Sequence, residues 1–477
     1  MRRTVAPLAV LALLLAVSTP AAGAAPAAPA RALWNLAGTA TPAAGVTRPG
    51  ATALTLAGDQ ALFVLGTERR KKLLSIAVDG SSRAVERFQF RTPGSAGVSV
   101  KLDASPVLSG ALFGTLDQDP LMQTFTGPPL GPLAPLGPLR GLTSGEFVAF
   151  DVQVAGDKLF VLEQRINPRL ARVTVRDGNG ASAPLTSLTL SRDDRPVFAG
   201  ELVAVARRPA HPAAGKLGEV TIQNWLTGAG TRVLSLPIEV AGMDLHPDGR
   251  IVVNDVRGTI AEVGLDSVYR FVSRSGTLPT YGGDAIVYVS GDRIQQLMVA
   301  GPDRVPRPIG VPSAEIDSFA TDAQRVVWSA HGCLLVADLS APSSLQLPRG
   351  PCPRAEVALD RQVSSIKLRS GGRVVVPVRC IAAPARGCRG RVQLTANVRT
   401  DKRVVRARLG SAALRIAPGA RKAITVRLTS RAAELVREKS TPPEFFGIQA
   451  EVLVEAVDPA GRRSVRRECC ARLVSRR

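Results

Sequence analysis

The chain has 477 residues, 45% of them apolar and 21% charged, which fits folded domains and excludes a disordered or collagen-like polymer. Its formal charge is +22 and only 4% of its residues are aromatic, so a basic surface is expected and a face of aromatic sugar platforms is not. The charge is lopsided, because residues 353–477 hold 28 Lys and Arg against 10 Asp and Glu.

The N-terminus reads as a secretory signal. Arg2 and Arg3 form a charged start, residues 8–17 form a ten-residue apolar core, and Ala22-Gly23-Ala24 is a small-x-small cleavage site. Ten apolar residues are too few to span a bilayer, which takes about 20 residues of helix. No Cys follows the apolar core, so a lipid anchor is not expected. Residues 1–24 are therefore assigned to the signal, and 25–47 to a linker able to supply a blade-closing strand. No later run is long and apolar enough for a transmembrane segment, which predicts a secreted or envelope-associated protein after cleavage.

From residue 48 to 353 a weak repeat returns about every 45 residues, near 50, 98, 147, 195, 239, 280 and 315. Each unit is a Gly or Asp turn, a β-branched run, then a second apolar run. Ala57-Gly58-Asp59 precedes Ala61-Leu62-Phe63-Val64, and Ala155-Gly156-Asp157 precedes Leu159-Phe160-Val161-Leu162. Later copies are Gly282-Gly283-Asp284 before Ile286-Val287, and Thr321-Asp322 before Val326-Val327-Trp328. The second unit (105–114) and the fourth (198–206) are poorer copies. Gly-Asp and Asp-Gly supply hairpin turns, and the runs are too short for helices. Seven four-stranded units of this length predict a seven-bladed β-propeller. Residues 127–141, rich in Gly-Pro-Leu, read as a long polyproline-like link between blades.

Unit five, His246-Pro247-Asp248-Gly249-Arg250-Ile251, resembles the strand-turn-strand motif of TolB/WD40-like (PD40-type) propellers. The resemblance covers one blade well and the others loosely. It implies the fold and brings no functional residue with it.

Beyond residue 354 the pattern changes to short runs of partial period two, at 357–359, 365–368, 373–380, 391–396, 423–428, 449–457 and 464–474. Ser430 is placed to cap a short helix running to Glu438. About seven short strands in 354–477 predict an immunoglobulin-like β-sandwich, making the whole chain all-β. Cys380 and Cys388, with the hairpin between them, resemble the Cys-bearing hairpin of Ig-like domains that end many exported proteins of high-GC bacteria. Six cysteines suit an oxidising compartment. The economical pairing joins Cys333 with Cys352 and Cys380 with Cys388. Adjacent Cys469 and Cys470 would point to opposite faces of a strand, and their state is left open.

Candidate chemistry is sparse. His211, His246 and His331 are isolated, and no Ser or Cys stands near them in the pattern of a triad. Asp117 with Asp119, and Asp193 with Asp194, lack the further acids of a calcium loop. There is no CxxC pair, so zinc is not expected. No catalytic, cofactor-binding or metal-ligating residue is assigned. Trp34, Trp225 and Trp328 read as core. The sequence therefore points to an exported, non-enzymatic binding protein whose partner is another protein or an anionic envelope polymer, with nucleic acid not expected. The alternative is a propeller hydrolase or lyase acting on an extracellular polymer.

Overall fold

The computed structural model describes residues 31–35, 53–66, 70–91, 97–116, 121–141, 145–165, 170–177, 182–191, 193–207, 217–291, 294–313, 316–330, 333–340, 356–360, 365–382, 387–399, 404–438, 448–457, 461 and 463–475. The signal and linker assignments fall largely outside them, as do Asp117, Asp119, His211, His331 and Cys352.

Seven four- or five-stranded antiparallel sheets follow one another as blades. Their innermost strands are Ala53–Ala57, Gly97–Ala104, Val148–Ala155, Arg195–Ala199, Gly242–Leu245, Thr277–Gly282 and Ile316–Thr321. Each touches the innermost strand of the next blade, and the last touches the first, so the ring is closed. The seventh blade takes its outer strand from the other end of the chain: Arg31–Asn35 pairs antiparallel with Cys333–Asp338.

The turn chemistry explains the repeat. Gly58, Gly156, Gly200 and Gly283 all have φ between +56° and +60°. Each is the first residue of a two-residue hairpin, closed by Ala57 with Gln60, Ala155 with Lys158, Ala199 with Leu202, and Gly282 with Ala285. A side chain is strained at that φ, so glycine recurs there. The next strand of a blade is covered on both faces by its neighbours: Ala61, Leu62, Phe63 and Val64 are fully buried, as are Ile251, Val252 and Val253. This is why the runs are apolar without alternation.

The proline-rich stretch is not a link between blades. Ala134–Pro135 and Arg140–Gly141 pair with Leu121–Gly127 and form the outer edge of blade two. An edge tolerates residues that lack an N–H donor.

Among the described residues every seam between blades has its own apolar core, and the cores differ in size. The seam between blades six and seven has thirteen buried apolar residues. Three others have eleven each, and the seam between three and four has eight. Blades five and six share seven. Blades two and three share five: Leu108, Leu112, Val152, Leu159 and Val161.

The C-terminal region has eight strands, Glu356–Leu359, Ser365–Leu368, Arg373–Ala382, Cys388–Arg399, Val404–Ile416, Arg421–Leu428, Ile448–Val457 and Arg463–Ser475. They run first, third, sixth, fifth, fourth, seventh, eighth, second across one folded sheet. The fold occurs at the fifth strand, which meets the sixth only at Gly410 and Ser411. A Cβ on Gly410 would lie 2.5 Å from the carbonyl oxygen of Arg427, so this crossing needs glycine. The two layers enclose one core drawn from residues 357–473 alone, the arrangement of a β-sandwich. Val404–Ile416 has no counterpart among the expected runs. The helix is present over Ser430–Glu438, but Thr429 caps it: its hydroxyl accepts the Ala432 N–H at 3.2 Å. Cys380 and Cys388 form a disulfide inside this core. Cys333 is also disulfide-bonded, and its expected partner Cys352 lies outside the described residues. Cys469 and Cys470 lie on the last strand, with side chains outside the description. No helix of the described residues is long and apolar enough to cross a membrane.

Candidate functional site

Near the channel, side chains of one blade bind the backbone of the next. Asp103 accepts the Val154 N–H at 2.7 Å and its neighbour Ala104's at 2.9 Å. Gln153 holds the Phe198 N–H and the Pro196 carbonyl. Asp244 accepts the Tyr281 N–H at 2.7 Å. The ring walls in both carboxyl groups, and burial pushes Asp103 up to about 7 and Asp244 up to about 6, against the pull of these donors. Acids with raised pKa values attract attention as proton donors. These two sit in blades two and five, and each already clamps a main-chain amide, which accounts for their placement.

A second polar group fills the outer seam between blades five and six. Glu262 is 3% exposed and lies in a fork with Arg304, at 2.7 Å from Nε, with the Tyr281 hydroxyl donating at 3.0 Å. Arg250 reaches Asp248 at 2.8 Å and Asp284 of the next blade at 2.5 Å. His246 Nδ1 stands 2.8 Å from Asp248. Burial first, then the Glu262 carboxylate, hold the Tyr281 phenol well above its usual range. Arg325 repeats the device between blades seven and one, bonding Asp322 and Asp59. Of the sequence candidates, His246 thus belongs to a fully paired structural seam. Asp194 is likewise engaged, accepting from Ser191 and Arg207, while its neighbour Asp193 is exposed. Trp328 is core, and Trp225 packs edge-on against Phe160 and donates to the Gly200 carbonyl.

The seam between blades two and three is built differently. Its apolar core is the smallest, and it opens into a cavity of about 240 Å³. The cavity lies where the innermost strand of blade three begins, on the face opposite the Gly-Asp hairpins. Leu136, Gly137, Pro138 and Arg140 of the proline-rich edge make one wall. The other wall is the strand Leu170–Asp177 of blade three. Arg172, Thr174 and Arg176 alternate along it, so period two sends all three to one face. Glu163 pairs across from Arg172 and accepts from its Nε at 2.7 Å and from Thr174 at 2.6 Å. The Arg172 guanidinium also stacks over the Phe147 ring at 4.0 Å, and Arg165 stands 5.3 Å from that ring's centre. Among the described residues the buried Nε atoms of Arg165 and Arg176 have no hydrogen-bond partner; Arg176 lines the cavity, whereas Arg165 lies at the other end of the strand pair, opposite Leu170.

A buried donor without an acceptor is costly. One of the two, Arg176 Nε, in the wall of a cavity that also holds the stacked Arg172, suits an anionic ligand. By volume the cavity holds about eight waters, or one amino-acid residue. None of these residues was singled out in the sequence. The signal lay in the alternation of Arg172, Thr174 and Arg176, but the Phe147 and Arg140 contributions come from strand pairing and the neighbouring blade. Among the described residues no cluster of three or more His, Cys, Asp or Glu is placed to hold a metal.

No known protein family and no curated protein matches the chain. Solved propeller structures do. A Pyrococcus horikoshii acylaminoacyl peptidase is 12% identical over 69% of this chain and 58% of its own, with a TM-score of 0.42. YCF48 bound to D1 peptide is 12% identical over 62% of this chain and 96% of its own, at 0.41. The β-propeller domain of the trilobed protease from Pyrococcus furiosus, described as having an open velcro topology, is 9% identical over 63% and 98%, at 0.40. The chain spans less than two thirds of the peptidase. At these identities the likeness is one of fold.

Proposed function

We propose that the protein is an exported, non-enzymatic binding protein of the envelope or extracellular space, and that the cleft between blades two and three captures an acidic side chain or terminus of a protein partner. The observation that carries this reading is the cleft itself, lined by Arg140, Arg172 and Arg176, with Arg172 stacked on Phe147 and the Arg176 Nε without an acceptor among the described residues. Arginine forks match carboxylates in planar geometry. Export rests on the N-terminal pattern and agrees with the disulfide. An Ig-like character for the sandwich is supported by its split edge. The first strand pairs antiparallel with the third, and the second pairs parallel with the last, so the N-terminal edge serves both layers. TolB/WD40-like kinship is supported by the His246 to Arg250 turn alone.

Titration with triglutamate and triglutamine peptides tests the site. The acidic peptide should bind, and Arg172→Ala/Arg176→Ala should weaken it at least tenfold with the melting temperature held. Equal binding of triglutamine, or no loss in the variant, overturns the reading. Mass spectrometry of the mature protein should find a start near Ala25; an intact Met1 overturns export.

A further inference from the structure

We infer that the outward face of the first layer of the C-terminal sandwich is a docking strip for a linear polyanion of the envelope. Strand register puts Arg373 directly opposite Arg427, and Arg379 directly opposite Arg421. Arg373, Arg421 and Arg427 are exposed and Arg379 is half-buried. The inward residues between them, Val374, Val376, Ile424 and Val426, are buried in the core, which fixes the arginines outward. Like charges directly opposite on a sheet destabilise it. Here two such rungs stand on one face, six residues and about 20 Å apart along the strands. Between them lie Val375 against Thr425 and Pro377 against Ala423, a shallow stretch of small side chains. The one carboxylate recorded on these rungs is Asp360, 3.0 Å from Arg421 Nε.

In the second layer several arginines have carboxylate partners. Arg391 and Arg463 share Glu455, and Arg406 is paired with Glu451. It has one opposed pair, Arg389 with Arg415. A strip with charge at both ends reads repeating charge along a chain, so it selects a polymer with a phosphate or carboxylate on each repeat, long enough to span about 20 Å. That the polymer belongs to the envelope rests on the export reading; the strip itself does not.

The full-length protein should be titrated with inorganic polyphosphate, with polyglutamate and with a 30-nucleotide single-stranded DNA at rising salt. The variant Arg373→Gln/Arg379→Gln/Arg421→Gln/Arg427→Gln should lose at least tenfold in affinity for the polymer it prefers. Its salt slope should fall by about 3, as expected for four released counterions. Preference for polyphosphate identifies a phosphodiester-like source, and preference for polyglutamate a carboxylate one. A charge-matched control, Arg389→Gln/Arg406→Gln/Arg408→Gln/Arg415→Gln, should lose at most about threefold. Equal loss in the control, or tighter binding of DNA than of both polymers, overturns the inference. Triglutamate binding should be untouched in both variants, which separates this strip from the propeller cleft.

Discussion

The seams between blades five and six and between blades two and three have the two smallest apolar cores in the ring, and they solve that shortage in opposite ways. In the first, Arg304, Arg250 and Tyr281 converge on Glu262, and the charges are consumed within the protein. In the second, Glu163 is shared by Arg172 and Thr174, Asp151 holds Lys101 and Glu146 holds Arg140, but the buried Arg176 Nε has no acceptor among the described residues. Arginine count alone does not separate structure from recognition. What separates them is whether each buried donor finds an acceptor inside the chain.

The largest expected effect lies in the closed seam. Glu262→Ala strands Arg304 and Arg250 without their buried partner and should cost on the order of 3–5 kcal/mol in chemical denaturation. A loss under about 1 kcal/mol would mean that the charges are solvated and the contrast is false. Next is the inner end of the open seam. Asp103 has a folded pKa of about 7, above its ordinary 3.8, so the folded state holds the proton more tightly than the unfolded chain. Its contribution is full below about pH 4 and is lost as pH rises toward 7. The denaturation midpoint should therefore fall between about pH 4 and pH 7, and Asp103→Asn, which keeps an acceptor for the Val154 N–H, should flatten that fall. Asp244, raised to about 6, adds to the slope in the same direction. An unchanged slope in the variant would clear Asp103. A smaller effect is expected in the sandwich, where Thr429→Ala removes the helix cap and should cost about 1 kcal/mol. The smallest belongs to the cleft rim: Arg176→Ala should change stability by no more than about 0.5 kcal/mol. A large loss there would show that Arg176 is structural and that the two seams are alike.

The ring was legible in the sequence because its signal is local. Four glycine-led hairpins and the buried runs after them repeat at blade length, and the innermost strands begin within a few residues of the expected units. The long strand Val404–Ile416 was not legible. It mixes Arg and Ala, and it is bulged at Leu409, opposite Leu394 and Thr395, just where it meets the other layer at Gly410 and Ser411, so no single alternation survives. The proline-rich edge was misplaced because composition reports backbone preference, not which strand it pairs with. The cleft was beyond reach for a different reason. Arg172 and Arg176 are ordinary exposed-strand arginines until the wall of blade two is set beside them.

The closing strand has a consequence in time. Arg31–Asn35 must wait for Cys333–Asp338, some 300 residues later, before the seventh blade is complete. The entropy of closing so long a loop is modest, since each doubling of length costs only about 0.6 kcal/mol, but the contact is as non-local as the ring allows, and such contacts form slowly. Until the N-terminal strand arrives, blade seven presents Cys333–Asp338 as a bare, apolar edge open to pairing with any other chain. The ring thus behaves as a clasp whose two halves are made first and last. A nascent chain is most exposed to misassembly in the interval between them.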